Sequence, residues 1–177
     1  MAQILAFAGS NSSTSINYRL VRHTVSLVSG HEVRLLNMSN YPFPMYSADV
    51  EQQKGYSNSL VELKNDMQSV DALIIGVNEH NGNPSSYFKN LLDWLSRLER
   101  KFLAEKRVFL LSTSTGRGGG ANALGTIEKM LPRFGAEIVA TFSLPSFNHS
   151  FNDTDGIIDE KLKKSHQEAL NKFSSTL

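Results

Sequence analysis

Three short apolar runs constrain this chain most: Gln3 to Ala8, "ALIIGV" at 72 to 77 and "RVFLLS" at 107 to 112, each ended by Gly, Asn or Ser. Unbroken hydrophobicity over so few residues is the pattern of strands buried on both faces of a parallel sheet. "EVRLLNM" at 32 to 38 and "EIVATFSL" at 137 to 144 read as two further strands, interrupted by polar residues. Between them, apolar residues recur at helical spacing: Ile16, Leu20, Val21, Val25 and Val28; Leu60, Leu63, Met67 and Val70; Phe88, Leu91, Leu92, Leu95, Leu98 and Phe102; Leu124, Ile127, Leu131 and Phe134. A terminal helix follows on Ile158, Leu162, Ala169 or Leu170, and Phe173, with Lys161, Lys163 and Lys164 on its solvated face.

The order βαβαβαβαβα predicts an α/β three-layer sandwich, with right-handed crossovers and helices on both faces of a five-stranded parallel sheet. For five strands the flavodoxin-like order 2-1-3-4-5 is the common doubly wound choice, and its ligand site lies beside the C-terminal ends of strands 1 and 3. No repeat or Pro/Gly/Ser tract divides the 177 residues, so one domain over 1–177 is expected. Eighteen Lys and Arg against seventeen Asp and Glu give a net charge of +1 and no basic stretch for a nucleic acid. No apolar run approaches the roughly 20 residues of a membrane span, and the start lacks the basic residues of a secretory signal, so a cytoplasmic protein without a membrane partner is expected. Cysteine is absent, which excludes thiolate chemistry, so any redox activity needs a cofactor. The histidines share no metal-ligand spacing, and Asp153 to Gly156 is too short a match to a calcium loop, so no metal site is expected.

Three loops fall at the predicted ligand edge. The first, "GSNSSTSIN" at 9 to 17, faces a helix N-terminus with Ser10, Ser12 and Ser15 as hydroxyl donors, Asn17 to brace the turn, and no Lys or Arg from 1 to 18. Hydroxyls and amides at the positive end of a helix suit a phosphate, while Ser15 also fits a plain helix cap. The Gly-Lys-Ser/Thr ending of a Walker loop is missing. The second loop, from Asn78 to Trp94, reads as an irregular turn followed by a helix capped by Ser85 or Ser86. His80 projects at the switch point as a candidate proton donor or a bystander; Lys89 and Asp93 fit a helix-surface pair, and Trp94 fits core or subunit interface. The third, "STSTGRGGGAN" at 112 to 122, contains a G-x-G-x-x-A match at Gly116, Gly118 and Ala121. It follows the wrong strand for a dinucleotide fingerprint and reads instead as bare backbone able to approach a flat ligand.

On these three loops the sequence resembles the NAD(P)H-dependent FMN reductase family of flavodoxin-like proteins, which includes quinone, azo-dye and chromate reductases. The resemblance covers about residues 3 to 145. The family's G-S-x-R-x-x-S-x-N is matched by Gly9, Ser10, Ser15 and Asn17, with Ser12 in place of the arginine. Its P-E-Y-N and L-K-N-x-x-D-W are matched by Glu79, Asn81, Lys89, Asn90, Asp93 and Trp94, with Asn78, His80 and Phe88 as departures. Its S-x-G-x-x-G-G is matched by Ser114, Gly116, Gly119 and Gly120.

The resemblance implies FMN as cofactor and NAD(P)H as electron donor, in a ping-pong cycle that passes two electrons to a quinone, azo dye, free flavin or similar small molecule. It implies FMN contacts from Ser10, Ser12, Ser15, Ile16 and Asn17, from Asn78, Glu79, His80, Asn81 and Gly82, and from Thr113, Ser114, Gly116 and Gly119. It also implies a homodimer or homotetramer. Beside it stand two other readings, a flavodoxin-type electron carrier and a flavin-dependent sensor without reductase turnover. The connection from 39 to 56 is expected to shape the acceptor site through Tyr46.

Overall fold

The computed structural model describes residues 1–177. In chain order the elements are β1 (Gln3–Ala8), α1 (Ile16–Ser26), β2 (Glu32–Leu36), α2 (Ala48–Lys54), α3 (Asn58–Ser69), β3 (Ala72–Val77), β4 (Glu79–His80), β5 (Asn83–Pro84), α4 (Ser86–Leu98), β6 (Arg107–Thr113), α5 (Ala121–Met130), β7 (Glu137–Leu144), α6 (Phe147–Ser150), β8 (Phe151–Asn152), β9 (Gly156–Ile157) and α7 (Glu160–Ser174). The five long strands form one parallel sheet in the order β2-β1-β3-β6-β7, the expected doubly wound arrangement.

The period of two along each central strand divides the core between the two faces. Leu5, Phe7, Leu73, Ile75, Val108 and Leu110 pack with α3, α4 and α5. Their alternates, Ile4, Ala6, Ile74, Phe109 and Leu111, pack with Leu20 and Val21 of α1 and Leu170 and Phe173 of α7. All six residues of β3 are buried, whereas β2 is a half-exposed edge. No helix is long and apolar enough to cross a membrane.

The differences from expectation have local causes. β2 stops at Leu36 because Asn37 turns the chain: its Oδ1 accepts the Ser39 N–H at 3.1 Å and starts a single 3-10 turn. α4 ends at Leu98 although the apolar spacing runs on. Phe102 sits in the following turn and reaches the same core by packing on Phe134, 5.1 Å between ring centroids. α5 ends at Met130, where Pro132 converts the rest into a 3-10 turn over Leu131–Phe134. Ile158 lies before α7 and is exposed, so it is not part of that helix's buried stripe. α2 lies inside the connection from 39 to 56, where the sequence pattern shows no helix, and the Asp153 to Gly156 turn joins the strands of a hairpin, the preceding Asn152 Oδ1 accepting the Thr154 and Asp155 amides.

Candidate functional site

At the C-terminal edge of β1, β3 and β6 the three loops close around a cleft of about 280 Å3. The first loop contributes Ser10, Ser12, Ser15, Ile16 and Asn17; the second contributes Asn78, Glu79 and His80; the third contributes Thr113 and Ser114. Thr14 and Thr115, inside the same loops, also line it and were not singled out from sequence. Asn81, Gly82, Gly116 and Gly119 lie outside this lining.

The first loop presents donors. Ser10 and Ser15 are buried, and each oxygen accepts a backbone amide, Ser12 N–H at 3.3 Å and Tyr18 N–H at 3.2 Å. Ser15 is thereby the N-cap of α1. Neither hydroxyl has an acceptor in the chain, so both O–H protons are left for the cleft. The Ile16 and Asn17 amides of the first helical turn likewise have no acceptor in the chain. Ser12, more exposed, takes the Thr14 N–H and pairs with the Thr14 hydroxyl at 3.2 Å. Donors without acceptors, at the positive end of an 11-residue helix, favour an anion. The first cation of the sequence, Arg19, is committed elsewhere, in a two-point contact with Asp153 at 2.9 Å and over the Phe147 ring at 4.9 Å.

Other motif residues hold the loops to one another. Buried Asn17 spans to the end of β6, donating to the Thr113 carbonyl at 3.1 Å and accepting its N–H at 2.9 Å. Its side chain is therefore engaged with Thr113, and its own amide is left without an acceptor. Thr113 in turn donates its hydroxyl to the Leu144 carbonyl at 2.7 Å. Glu79 accepts the Ala123 N–H at 2.9 Å, capping α5 from outside; the N-cap residue Gly120 has no side chain to do so. Ser85 caps α4 through the Phe88 N–H and lies 2.9 Å from the Gly9 carbonyl and 3.0 Å from Asn78 Oδ1.

The turn at Asn81 and Gly82 is regular rather than irregular. Both residues have positive φ, 53° and 74°, and His80 pairs with Asn83, which is the two-residue turn that Asn-Gly favours. His80 at its base is exposed and faces the cleft. In the third loop the glycines serve two purposes. Gly119, at φ 60°, is buried with Pro145 N only 2.9 Å from where a side chain would begin, so it is bare because β7 is close, not a ligand. Gly116 and Gly118 are exposed and leave room beside the cleft.

On α4, Lys89 and Asp93 form the expected surface pair, 2.6 Å apart. Buried Asn90 and Trp94 hold the preceding connection: Asn90 Nδ2 and Trp94 Nε1 both donate to the Pro44 carbonyl, at 2.9 and 2.8 Å, and Asn90 Oδ1 accepts the Tyr46 N–H at 2.7 Å. Trp94 is therefore core, 3% exposed in the chain. Tyr46 does not line the site. Its ring packs on Trp94 and its hydroxyl donates to Glu51, which also takes bonds from Tyr56 and Arg97. Those bonds, from Tyr56 first and then Arg97 and Tyr46, hold the Glu51 carboxyl below its ordinary range.

Similarity to known proteins agrees with this geometry. The family model for NADPH-dependent FMN reductase matches residues 2–149. A quinone reductase of Escherichia coli K12 is 31% identical over 130 residues, 73% of this chain and 69% of its own. An NAD(P)H-dependent FMN reductase of Pseudomonas aeruginosa is 25% identical over 175 residues, 95% and 91% of the two chains. Among solved structures, the NAD(P)H:acceptor oxidoreductase FerB of Paracoccus denitrificans superposes with a TM-score of 0.79 at 23% identity, covering 99% of this chain and 96% of its own, which supports the fold. The match leaves only the closing hairpin and α7 outside it, and on that extent the chain belongs to the NADPH-dependent FMN reductase family of oxidoreductases, with FMN as the family's cofactor and NAD(P)H its electron donor.

Proposed function

We propose that residues 1–177 act as one FMN-binding domain that takes a hydride from NAD(P)H and delivers two electrons to a small quinone, azo dye or free flavin. The observation that carries this is the cluster of free donors at the N-terminus of α1: two buried hydroxyls and two amides without acceptors, while the one carboxylate on the cleft, Glu79, takes the Ala123 amide of α5. These residues fit a phosphate. Ser10, Ser15 and the Ile16 and Asn17 amides would hold it, with Ser12 and Thr14 at the rim. Asn78, His80, Asn81 and Gly82 on one side, and Ser114 and Gly116 on the other, would flank the ring. Glu79, Thr113 and Gly119 act by fixing these loops. Bound FMN supplies the ring that accepts and returns the hydride.

For a quinone the balance is simple: the hydride and one proton from water become the two O–H hydrogens of the hydroquinone, and NAD(P)H leaves as NAD(P)+. Of the two titratable side chains on the cleft, Glu79 is engaged with α5, which leaves His80 as the candidate proton donor. A His80→Phe protein is expected to turn over more slowly and with a changed pH profile; unchanged turnover with an unchanged pH profile removes the role. The protein works in the cytoplasm, on this reading, as a homodimer or homotetramer.

The deciding experiment is colour. Purified protein mixed with FMN is expected to stay yellow through gel filtration and to bleach with NADPH or NADH without a protein partner. Failure to retain FMN overturns the proposal, and a yellow protein that does not bleach is an electron carrier or sensor.

A further inference from the structure

Beyond His80 the cofactor cleft continues into a second hollow of about 190 Å3, so the imidazole forms a wall common to both. Its apolar lining is Phe43, Met45 and Tyr87. Its polar lining is Asn11, Ser85, Ser86 and Asn90; Ser85 and Asn90 are already bonded within the chain, which leaves Asn11 and Ser86. Met45 is 69% exposed, an unusual state for a large apolar side chain inside a concavity. Fraying does not explain it. The Pro44 carbonyl before it and the Tyr46 amide after it are both held by buried Asn90, and Pro44 also by Trp94. Backbone pinned on either side of an uncovered residue presents that side chain.

The aromatic members are equally fixed. Phe43 and Tyr87 lie 6.3 Å apart with their rings tilted by 31°. The Tyr87 hydroxyl is engaged within the chain, 2.8 Å from the Tyr41 carbonyl and 3.2 Å from that of Met38. Burial raises the Tyr87 pKa, so the phenol stays neutral. What remains to a ligand is ring surface, a thioether and a polar rim. A flat apolar ring with carbonyl oxygens at its edge matches that composition.

We propose that this hollow is the acceptor subsite, that it takes quinone-type rings, and that Met45 is its specificity-determining residue; the proposal rests on the reductase reading above. Met45 and Phe43 cover the ring while Asn11 and Ser86 meet its oxygens, next to His80 and the cofactor cleft. A flexible thioether accommodates rings of different width, which predicts tolerance among quinones and poor use of small charged acceptors.

The test uses FMN-loaded protein in three forms: wild type, Met45→Ser, and Leu27→Ser as a control at another exposed apolar residue. For each, kcat/KM is measured with menadione and with ferricyanide at one NADPH concentration, and the Kd of menadione is measured on oxidised protein without NADPH by fluorescence quenching. Met45→Ser is expected to lower the menadione-to-ferricyanide ratio by roughly fivefold or more, through menadione KM, and to raise the Kd in proportion. Leu27→Ser is expected to keep the ratio within about twofold. A Met45→Ser protein that binds FMN and bleaches normally, with ratio and Kd unchanged, overturns the assignment alone. An unchanged ratio with a lowered oligomeric mass also overturns it, placing Met45 between copies of the chain. Protein that retains no FMN overturns the reductase reading and this assignment together.

Discussion

Two helices begin at the same edge of the sheet, and their N-termini are finished in opposite ways. α1 is capped by its own Ser15, begins beside two buried hydroxyls that have no acceptor in the chain, and has no acidic residue in its first turn. α5 begins at Gly120 without a side-chain cap, and the Glu79 carboxylate reaches across to its Ala123 amide. One positive pole is left open and the other is neutralised from within the chain. The glycine-rich third loop therefore has the look of a phosphate site without its electrostatics, and the serine-rich first loop has the electrostatics without a cation.

The largest effect is expected where the two termini are tied together. Asn17→Ala removes both bonds to Thr113 and leaves a buried N–H and C=O unpaired, a cost of about 3 kcal/mol. Urea unfolding checks this, and a loss below about 1 kcal/mol contradicts the clamp.

α1 can also be disturbed from its other end. Thr24 donates to the Leu20 carbonyl at 3.0 Å, so in its contact with His166 Nε2 at 2.8 Å the imidazole is the donor and Nε2 carries a proton. Burial, with the neighbouring His23 adding to it, lowers the His166 pKa to about 4 from 6.5. The unfolded chain then binds this proton more readily than the folded one. Stability is complete above pH 6.5 and falls as the pH drops toward 4, by on the order of 3 kcal/mol. Unfolding free energy measured from pH 7 to 4 on wild type and His166→Gln checks the slope, which the variant is expected to flatten.

Smaller effects separate the two termini. Ser15→Ala and Glu79→Gln each cost about 1 kcal/mol by weakening a cap. Only Ser15→Ala is expected to lower the affinity for FMN relative to riboflavin, because only that change removes a donor from the open pole. Calorimetric titration with both flavins distinguishes them.

Much of the frame was legible because it is local. Runs such as Ala72–Val77 carry their burial on their face, and the Ser85-Ser86 pair announced the start of α4, of which Ser85 is the cap. Asn81-Gly82 carried a hairpin signal that its neighbouring Asn and Pro obscured. The site was legible as a set of loops, but not as a division of labour. Asn17 meets Thr113 across 96 positions and Glu79 meets Ala123 across 44, and no periodicity reports such pairs. The wall of the second hollow, Phe43 and Met45 rather than the expected Tyr46 of the same connection, depends on Asn90 and Trp94 pinning Pro44 from 46 and 50 positions away.

The most direct test moves one negative charge between the two poles. Thr14→Asp places it at the open N-terminus of α1, and Asn122→Asp at the N-terminus of α5, both at exposed positions. The ratio of FMN to riboflavin affinity, read by flavin fluorescence quenching, is expected to fall at least about tenfold in Thr14→Asp and less than about twofold in Asn122→Asp. A fall in Asn122→Asp with Thr14→Asp unchanged would place the phosphate on the glycine-rich loop and contradict the account.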